Sequence, residues 1–136
     1  MRFARLVFLI AGLYGLGLLP LYFAENFIGK KWPPAITHPE FFYGFLGVVI
    51  VFHIMFLVMS RDPARYRPIM LIAVLEKFVF GVPTVVLFLQ GRVPFAIVVA
   101  AVIDLGFGVL FIAAYRSIAK ESYAAGTAAT PIRASA

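Results

Sequence analysis

The chain has 136 residues, of which 63% are hydrophobic and 13% are charged, and its formal net charge is +6. Soluble domains are about 45–50% apolar and about 25% charged, so this composition indicates a membrane protein. The absence of cysteine excludes disulfides, thiolate metal sites and cysteine nucleophiles. The basic residues flank apolar runs instead of forming a stripe, which favours the positive-inside pattern over nucleic-acid binding.

Four apolar runs are long enough to cross a bilayer, because a membrane-spanning helix needs about 20 mostly apolar residues. They predict an all-α, antiparallel four-helix transmembrane bundle over residues 1–123 and a flexible cytoplasmic tail over residues 124–136. The turn between the second and third runs is short, which predicts that these two spans are antiparallel neighbours. The predicted spans cover residues 4–24, 40–60, 68–90 and 95–115.

The first run follows Arg2 and Arg5, as the apolar core of a secretory signal would. It is longer than the usual signal core of about 7–15 residues, and Pro20 with its bulky neighbours makes a poor cleavage region. We therefore expect a retained first span. Gly12 and Gly15 lie three apart on one helix face, which predicts close packing against another helix.

The longest predicted loop covers residues 25–39, where a Pro-Pro pair prevents helix continuation. Trp32 favours a position among lipid headgroups, so the loop is expected to lie along the membrane surface or over the outer mouth of the bundle. His38 and Glu40 flank a proline at this mouth. We interpret them as helix-entry residues, because an acidic side chain stabilises a helix N-terminus.

The basic residues are distributed unevenly between the two ends of the predicted bundle. Eight lie at the end that carries both termini and three at the other, while Lys77 falls inside a span. This imbalance predicts a multi-pass membrane protein with both termini in the cytoplasm. The eight are Arg2, Arg5, Arg61, Arg65, Arg67, Arg116, Lys120 and Arg133, and the three are Lys30, Lys31 and Arg92.

Each predicted span carries a polar residue at a similar depth. His53 and Glu76 lie about three residues to the cytoplasmic side of their span midpoints, a distance of about 4.5 Å. Tyr14 and Asp104 lie near the midpoints of the first and fourth spans. Charged groups at mid-bilayer are costly unless they face a protein interior, so the matched depth predicts a polar centre inside the bundle.

Lys77 directly follows Glu76 and lies about 100° round the helix from it, so both cannot point at the bundle axis. Two arrangements are open. In the first, Glu76 meets His53 while Lys77 reaches Asp104. In the second, Lys77 extends along its stem toward the cytoplasmic headgroups and leaves two acids inside. Two neighbouring buried acids would then raise each other's pKa, so at least one of them would stay protonated.

Two roles remain open for these polar residues. They form interhelical contacts that hold the bundle together, worth about 0.6 kcal/mol each on average, or they form a ligand or proton site. A metal site is not indicated, because close ligand spacings such as HxxxH are absent. Enzymatic activity is not favoured either, since Ser60 is the only serine before residue 116 and no nucleotide or phosphate motif occurs.

Three stretches, THPEFFYGFLG, SRDPARYRPIMLIAVLEKFVFGVP and IDLGFG, resemble small bacterial four-span membrane proteins. From Thr37 to Tyr115 the chain is similar to the DoxX-like group, which implies a four-helix inner-membrane protein. No catalytic motif of that group matches residue by residue, so no site residue is transferred. In residue types alone, the intramembrane histidine and acids also resemble the sterol-isomerase-type EXPERA domain.

We therefore predict an inner-membrane protein whose intramembrane polar site binds or carries a small amphiphilic ligand or a proton. A lipid or quinone-like molecule is the kind of ligand considered, and no motif implies a cofactor. The lipid bilayer is the expected partner. The candidate residues are Tyr14, His53, Glu76, Lys77 and Asp104, with Trp32, His38 and Glu40 at the outer mouth.

The alternative is a non-catalytic assembly or scaffold subunit that docks to itself or to a larger membrane complex. Four spans and one short outer loop leave little room for a transport path within a single chain, which motivates this alternative. Small residues let helix backbones approach closely in lipid, so docking is expected through glycine faces. These faces are Gly12/Gly15, Gly44/Gly47 and Gly106.

Overall fold

The computed structural model describes residues 1–31 and 36–128, with side chains through residue 120. As predicted, these residues form an all-helical bundle, with no β-strand in the described ranges and with four helices long and apolar enough to cross a membrane. The helices are α1 (Arg2–Leu16), α2 (Glu25–Lys31), α3 (Pro39–Arg61), α4 (Met70–Leu89) and α5 (Phe95–Ala128).

The first predicted span is a helix followed by a tighter segment. The helix α1 ends at Leu16, and a 3-10 helix over Leu19–Phe23 continues the apolar run. At the junction the amide of Gly17 lies 3.1 Å from the carbonyl oxygens of both Leu13 and Tyr14, a shared bond typical of helix ends. Together the two segments form an apolar stretch over Arg2–Phe23.

The prediction of a loop from residue 25 is wrong over its first part, because Glu25–Lys31 form the helix α2. Glu25 lies in its first turn and Lys30 and Lys31 in its last, an order that complements the helix dipole. Trp32 lies outside the described residues, so its predicted interfacial position stays a prediction.

The last helix is longer than predicted. It runs from Phe95 to Ala128 instead of ending at residue 115, and its membrane-spanning part covers Phe95–Lys120. Alanine has the highest helix propensity, and the alanine-rich sequence after the apolar run lets the helix continue. The predicted start of the tail at residue 124 therefore falls inside a helix.

Two helix pairs pack most closely, α1 with α3 and α4 with α5, and α1 also packs against α5. Glycines permit both close contacts. A Cβ atom on Gly12 would lie 2.5 Å from Leu57 of α3, and one on Gly81 would lie 2.6 Å from Leu105 of α5. The predicted Gly12/Gly15 face is thus used inside the bundle.

The helices α3 and α4, which their short turn predicted to be neighbours, meet through side chains and are not among the closely packed pairs. The rings of Phe45 on α3 and Phe80 on α4 have their centroids 5.6 Å apart. Such large side chains keep the two backbones apart, whereas glycines draw the other pairs together. A groove therefore remains between α3 and α4.

An aromatic cluster fills the end of the bundle that carries the N-terminus. Phe8 of α1 stacks on Phe111 of α5 with ring centroids 4.4 Å apart, and Phe56 of α3 meets Phe111 edge-on at 5.1 Å. All three side chains are fully buried. The contiguous core of the described residues therefore closes this end of the bundle.

We expect Gly12→Ala to lower the melting temperature of the purified protein. The new methyl group would meet Leu57 and lie 3.0 Å from the His53 carbonyl oxygen, and overpacking costs about 1–3 kcal/mol. The control is Gly44→Ala, because no described residue lies within 4 Å of a Cβ atom there. It should keep or raise the melting temperature, since alanine favours a helix by about 0.5–1 kcal/mol. Equal melting temperatures for the two variants would contradict the close α1–α3 contact.

Candidate functional site

Lys77 lies at the centre of the candidate site. Its side chain is 0% exposed on α4, inside the predicted transmembrane span. Its Nζ atom lies 3.1 Å from Asp104 Oδ1 on α5 and 3.4 Å from His53 Nε2 on α3. The ring centre of Phe56 lies 5.2 Å from the same atom, so the ammonium rests on the aromatic cluster.

The three N–H bonds of the Lys77 ammonium are matched by three acceptors. These are Asp104 Oδ1 at 3.1 Å, Glu76 Oε1 at 3.4 Å and His53 Nε2 at 3.4 Å. The second carboxylate oxygen of Glu76, Oε2, lies 3.2 Å from Nζ but outside hydrogen-bonding geometry. This buried oxygen has no hydrogen-bond partner among the described residues.

The hydrogen bonds of His53 define which ring nitrogen carries the proton. Nδ1 lies 2.6 Å from the carbonyl oxygen of Val49, and because a carbonyl only accepts, Nδ1 is the donor. A second proton on Nε2 would face the Lys77 ammonium, donor against donor. The ring is therefore neutral, its Nε2 accepts from Lys77, and the positive charge belongs to the lysine.

Two glycines on the flanking helices make room for the polar centre. A Cβ atom on Gly15 of α1 would overlap the ring of His53. A Cβ atom on Gly108 of α5 would lie 2.7 Å from the Phe78 ring and 3.4 Å from Lys77 Cβ. The sequence predicts only that Gly15 packs against another helix. The structure shows that the ring of His53 occupies the space that a side chain at Gly15 would fill.

The structure resolves the choice between the two arrangements of Glu76 and Lys77. Lys77 points inward and reaches Asp104, as in the first arrangement, so the second arrangement, with the lysine extended toward the headgroups, is not formed. The predicted pairing of Glu76 with His53 is also not formed, because Lys77 occupies the histidine Nε2. Both acids instead contact the same ammonium, and their side chains are 15% and 13% exposed.

Tyr14 borders the polar centre without joining its hydrogen-bond network. Its ring lies 5.5 Å from that of Phe107, which follows Asp104 by three residues on α5. Within the described part of the chain, its hydroxyl makes no hydrogen bond to His53, Lys77 or Asp104. Tyr14 is therefore part of the wall on the α1 side.

The outer-mouth residues lie apart from the polar centre. His38 Nδ1 and Glu40 Oε1 are 3.0 Å apart, and both side chains are exposed at the start of α3. His53 lies roughly 20 Å further along that helix. Sequence reasoning missed another contact at this end, in which the Tyr43 hydroxyl donates to Glu25 Oε2 at 2.8 Å and joins α2 to α3.

A groove of about 450 Å³ opens between α3 and α4 beside Glu76. Among the described residues that line it, Glu76 is the only charged one. Its wall residues Val48, Ile72 and Val79 are 57%, 55% and 63% exposed, so they lie on the outer surface of the bundle. The groove therefore opens sideways, toward the acyl chains of a surrounding bilayer. Further wall residues are Phe45, Phe52 and Phe80.

We expect Lys77→Met to lower the free energy of unfolding by about 3–5 kcal/mol, because the two buried carboxyl groups lose their shared partner. Chemical unfolding in detergent micelles measures this change. The control Lys30→Met alters an exposed lysine of α2 and should stay within about 0.5 kcal/mol of the original protein. Adding Glu76→Gln and Asp104→Asn to Lys77→Met should restore part of the loss. A Lys77→Met protein as stable as the original would contradict this dependence.

No family model, curated protein or solved structure matches this chain. The resemblances to the DoxX-like group and to the EXPERA domain therefore stay predictions, and the chemistry of the site rests on its geometry.

Proposed function

We propose that this protein binds a small amphiphilic molecule of the bilayer beside Lys77, through the groove between α3 and α4. The observation that carries the proposal is that Glu76 lines this groove and that its buried oxygen Oε2, although 3.2 Å from Lys77 Nζ, has no hydrogen-bond donor among the described residues. A buried polar group left unpaired costs about 1–3 kcal/mol, and more if it is charged. A ligand that donates a hydrogen bond to Oε2 would recover this free energy.

The shape and lining of the groove support an amphiphile. Its volume of about 450 Å³ is within the range of about 300–1,000 Å³ that small-molecule sites occupy. Its walls are apolar side chains, and a single carboxylate lies among them. The apolar body of a ligand would lie along Val48, Ile72 and Val79 while its polar end reaches Glu76.

The charges of the centre support a proton as a second occupant. Lys77 contributes one positive charge, the neutral His53 contributes none, and ionised Glu76 and Asp104 would contribute two negative charges. The centre is electrically balanced when one carboxyl group holds a proton. Ligand binding and proton binding are then linked at this site.

The proposal places the protein in the bacterial inner membrane with both termini in the cytoplasm. The support is the asymmetry of basic residues, because the start of α1, the turn after α3 and the last part of α5 lie at one end of the bundle. Seven described basic residues lie at this end, a pattern typical of the cytoplasmic side. They are Arg2, Arg5, Arg61, Arg65, Arg67, Arg116 and Lys120.

Mass spectrometry of molecules extracted from the purified protein tests this function. The original protein should retain an amphiphile, and Glu76→Gln should retain at least about tenfold less, because it loses a charge-assisted hydrogen bond. Val79→Trp should have a similar effect, because it fills the groove with a larger side chain.

Matched controls distinguish loss of the site from general damage. Glu40→Gln makes the same chemical change at an exposed position, and Val102→Trp makes the same enlargement on the lipid-facing surface of α5. Both should retain the amphiphile. Equal retention in Glu76→Gln and Glu40→Gln would contradict the proposed site.

A scaffold role is the second candidate, and two exposed glycines favour it. At Gly44 on α3 and Gly106 on α5, none of the residues that the structure describes lies within 4 Å of a Cβ atom, so another helix can approach their backbones closely. Because the chain has no native cysteine, a single introduced cysteine reports contacts of its own position when it is crosslinked in native membranes. Gly44→Cys should give dimers if α3 is an interface, while Ile10→Cys on exposed α1 should give none. Monomers from Gly44→Cys and Gly106→Cys alike would exclude docking through these glycines.

A further inference from the structure

The geometry points to a lipophilic amine as the ligand of this groove, bound as an ammonium ion in place of a proton on Glu76. This assignment rests on the binding function proposed above and narrows it to one chemical class. It depends on two properties of the site. Its residues carry a net negative charge when both carboxyl groups are ionised, and they offer no hydrogen-bond donor to Glu76 Oε2 within the described part of the chain.

The charge balance includes each titratable group that faces the centre from the part of the chain that the structure describes. Helix α1 presents the uncharged Tyr14, and α3 presents the neutral His53. Helix α4 presents Glu76 and Lys77, and α5 presents Asp104. With both carboxyl groups ionised, the sum is one negative charge. A cationic ligand neutralises that charge as well as a proton does, whereas a neutral ligand leaves it uncompensated.

The missing donor selects an ammonium ion over other cations. All three N–H bonds of Lys77 already have acceptors, so the lysine has none left for Glu76 Oε2. A quaternary ammonium or phosphonium ion supplies charge without a donor, and an alcohol supplies a donor without charge. A protonated primary or secondary amine supplies both, and such charge-assisted hydrogen bonds are the stronger kind.

The same two properties exclude anionic amphiphiles such as fatty acids. Their carboxylate would meet Glu76 at the groove wall, and the Lys77 ammonium that could attract them has no free donor. The aromatic walls add to the preference for a cation, because the faces of Phe45, Phe52 and Phe80 attract positive charge.

Binding of the amine is coupled to release of a proton. The protonated carboxyl group of Glu76 and the free ammonium ion give the bound ammonium–carboxylate pair and one proton, so charge and atoms balance. While the site holds its proton, the apparent affinity should rise about tenfold per pH unit. Above the pH at which the proton has left, the affinity should become independent of pH until the amine itself deprotonates.

Three probes with the same twelve-carbon chain test the assignment: dodecylamine, dodecanol and dodecanoate. The full-length protein is placed in nanodiscs of zwitterionic lipid, and empty nanodiscs correct for partitioning into lipid. Affinity is measured by calorimetry, and proton release is measured with an indicator dye in weak buffer. Dodecylamine should bind most tightly and release about one proton per chain.

Variants connect the signal to Glu76. Glu76→Gln should weaken dodecylamine binding at least about tenfold and abolish proton release, while the exposed-site control Glu40→Gln should change neither. If Glu76→Gln does not fold, Val79→Trp blocks the same groove and should abolish binding. If the original protein and those of the variants Glu76→Gln and Val79→Trp that fold bind dodecylamine with equal affinity, the assignment is wrong.

The outcomes separate this inference from the function on which it rests. If dodecanol or dodecanoate binds more tightly than dodecylamine, the amine assignment is wrong. If that binding is also lost in Val79→Trp, the amphiphile site in the groove still stands. Dodecylamine binding without proton release would also overturn the exchange with a proton. If none of the three probes binds, both the amine assignment and the proposed function are wrong.

Discussion

The buried ammonium of Lys77 is the interaction on which the arrangement of this bundle depends. An isolated charge at mid-bilayer costs about 2.5–3.5 kcal/mol on insertion scales, so the lysine must be surrounded by partners. His53 of α3, Asp104 of α5 and the adjacent Glu76 supply these partners. Helix α1 contributes indirectly, because Gly15 leaves the space that the histidine ring occupies. One charged group thus connects α3, α4 and α5 directly, and α1 through the histidine ring.

The polar centre is closed by packed side chains on one side and borders a groove on another. This difference determines the direction from which a molecule can approach it. Phe56 lies 5.2 Å from both the His53 ring and the Lys77 ammonium, so the aromatic core closes one side. On another side, bulky phenylalanines hold α3 and α4 apart while glycines bring the other helix pairs together. The resulting groove connects Glu76 with the lipid-facing surface. Access from the bilayer is therefore a consequence of where large and small residues lie.

Most of the fold follows from local sequence patterns. In lipid every backbone polar group must be satisfied within its own segment, so four long apolar runs predict four helices. Helix α2 and the extension of α5 were missed because they lie outside these runs, where helix formation depends on end charges and on alanine content. The separation of α3 from α4 was missed as well, since a short turn limits the distance between helix ends but not the packing along them.

For the site, the sequence by itself determined the depth of its members. Depth is fixed by counting residues along one helix, and this placed His53, Glu76 and Asp104 at one level. Only the tertiary structure decided which of the adjacent Glu76 and Lys77 lies at the centre, and that Oε2 of the groove-lining Glu76 has no hydrogen-bond partner among the described residues. The rotation of a helix about its axis is set by contacts with neighbouring helices, which no single segment of sequence contains.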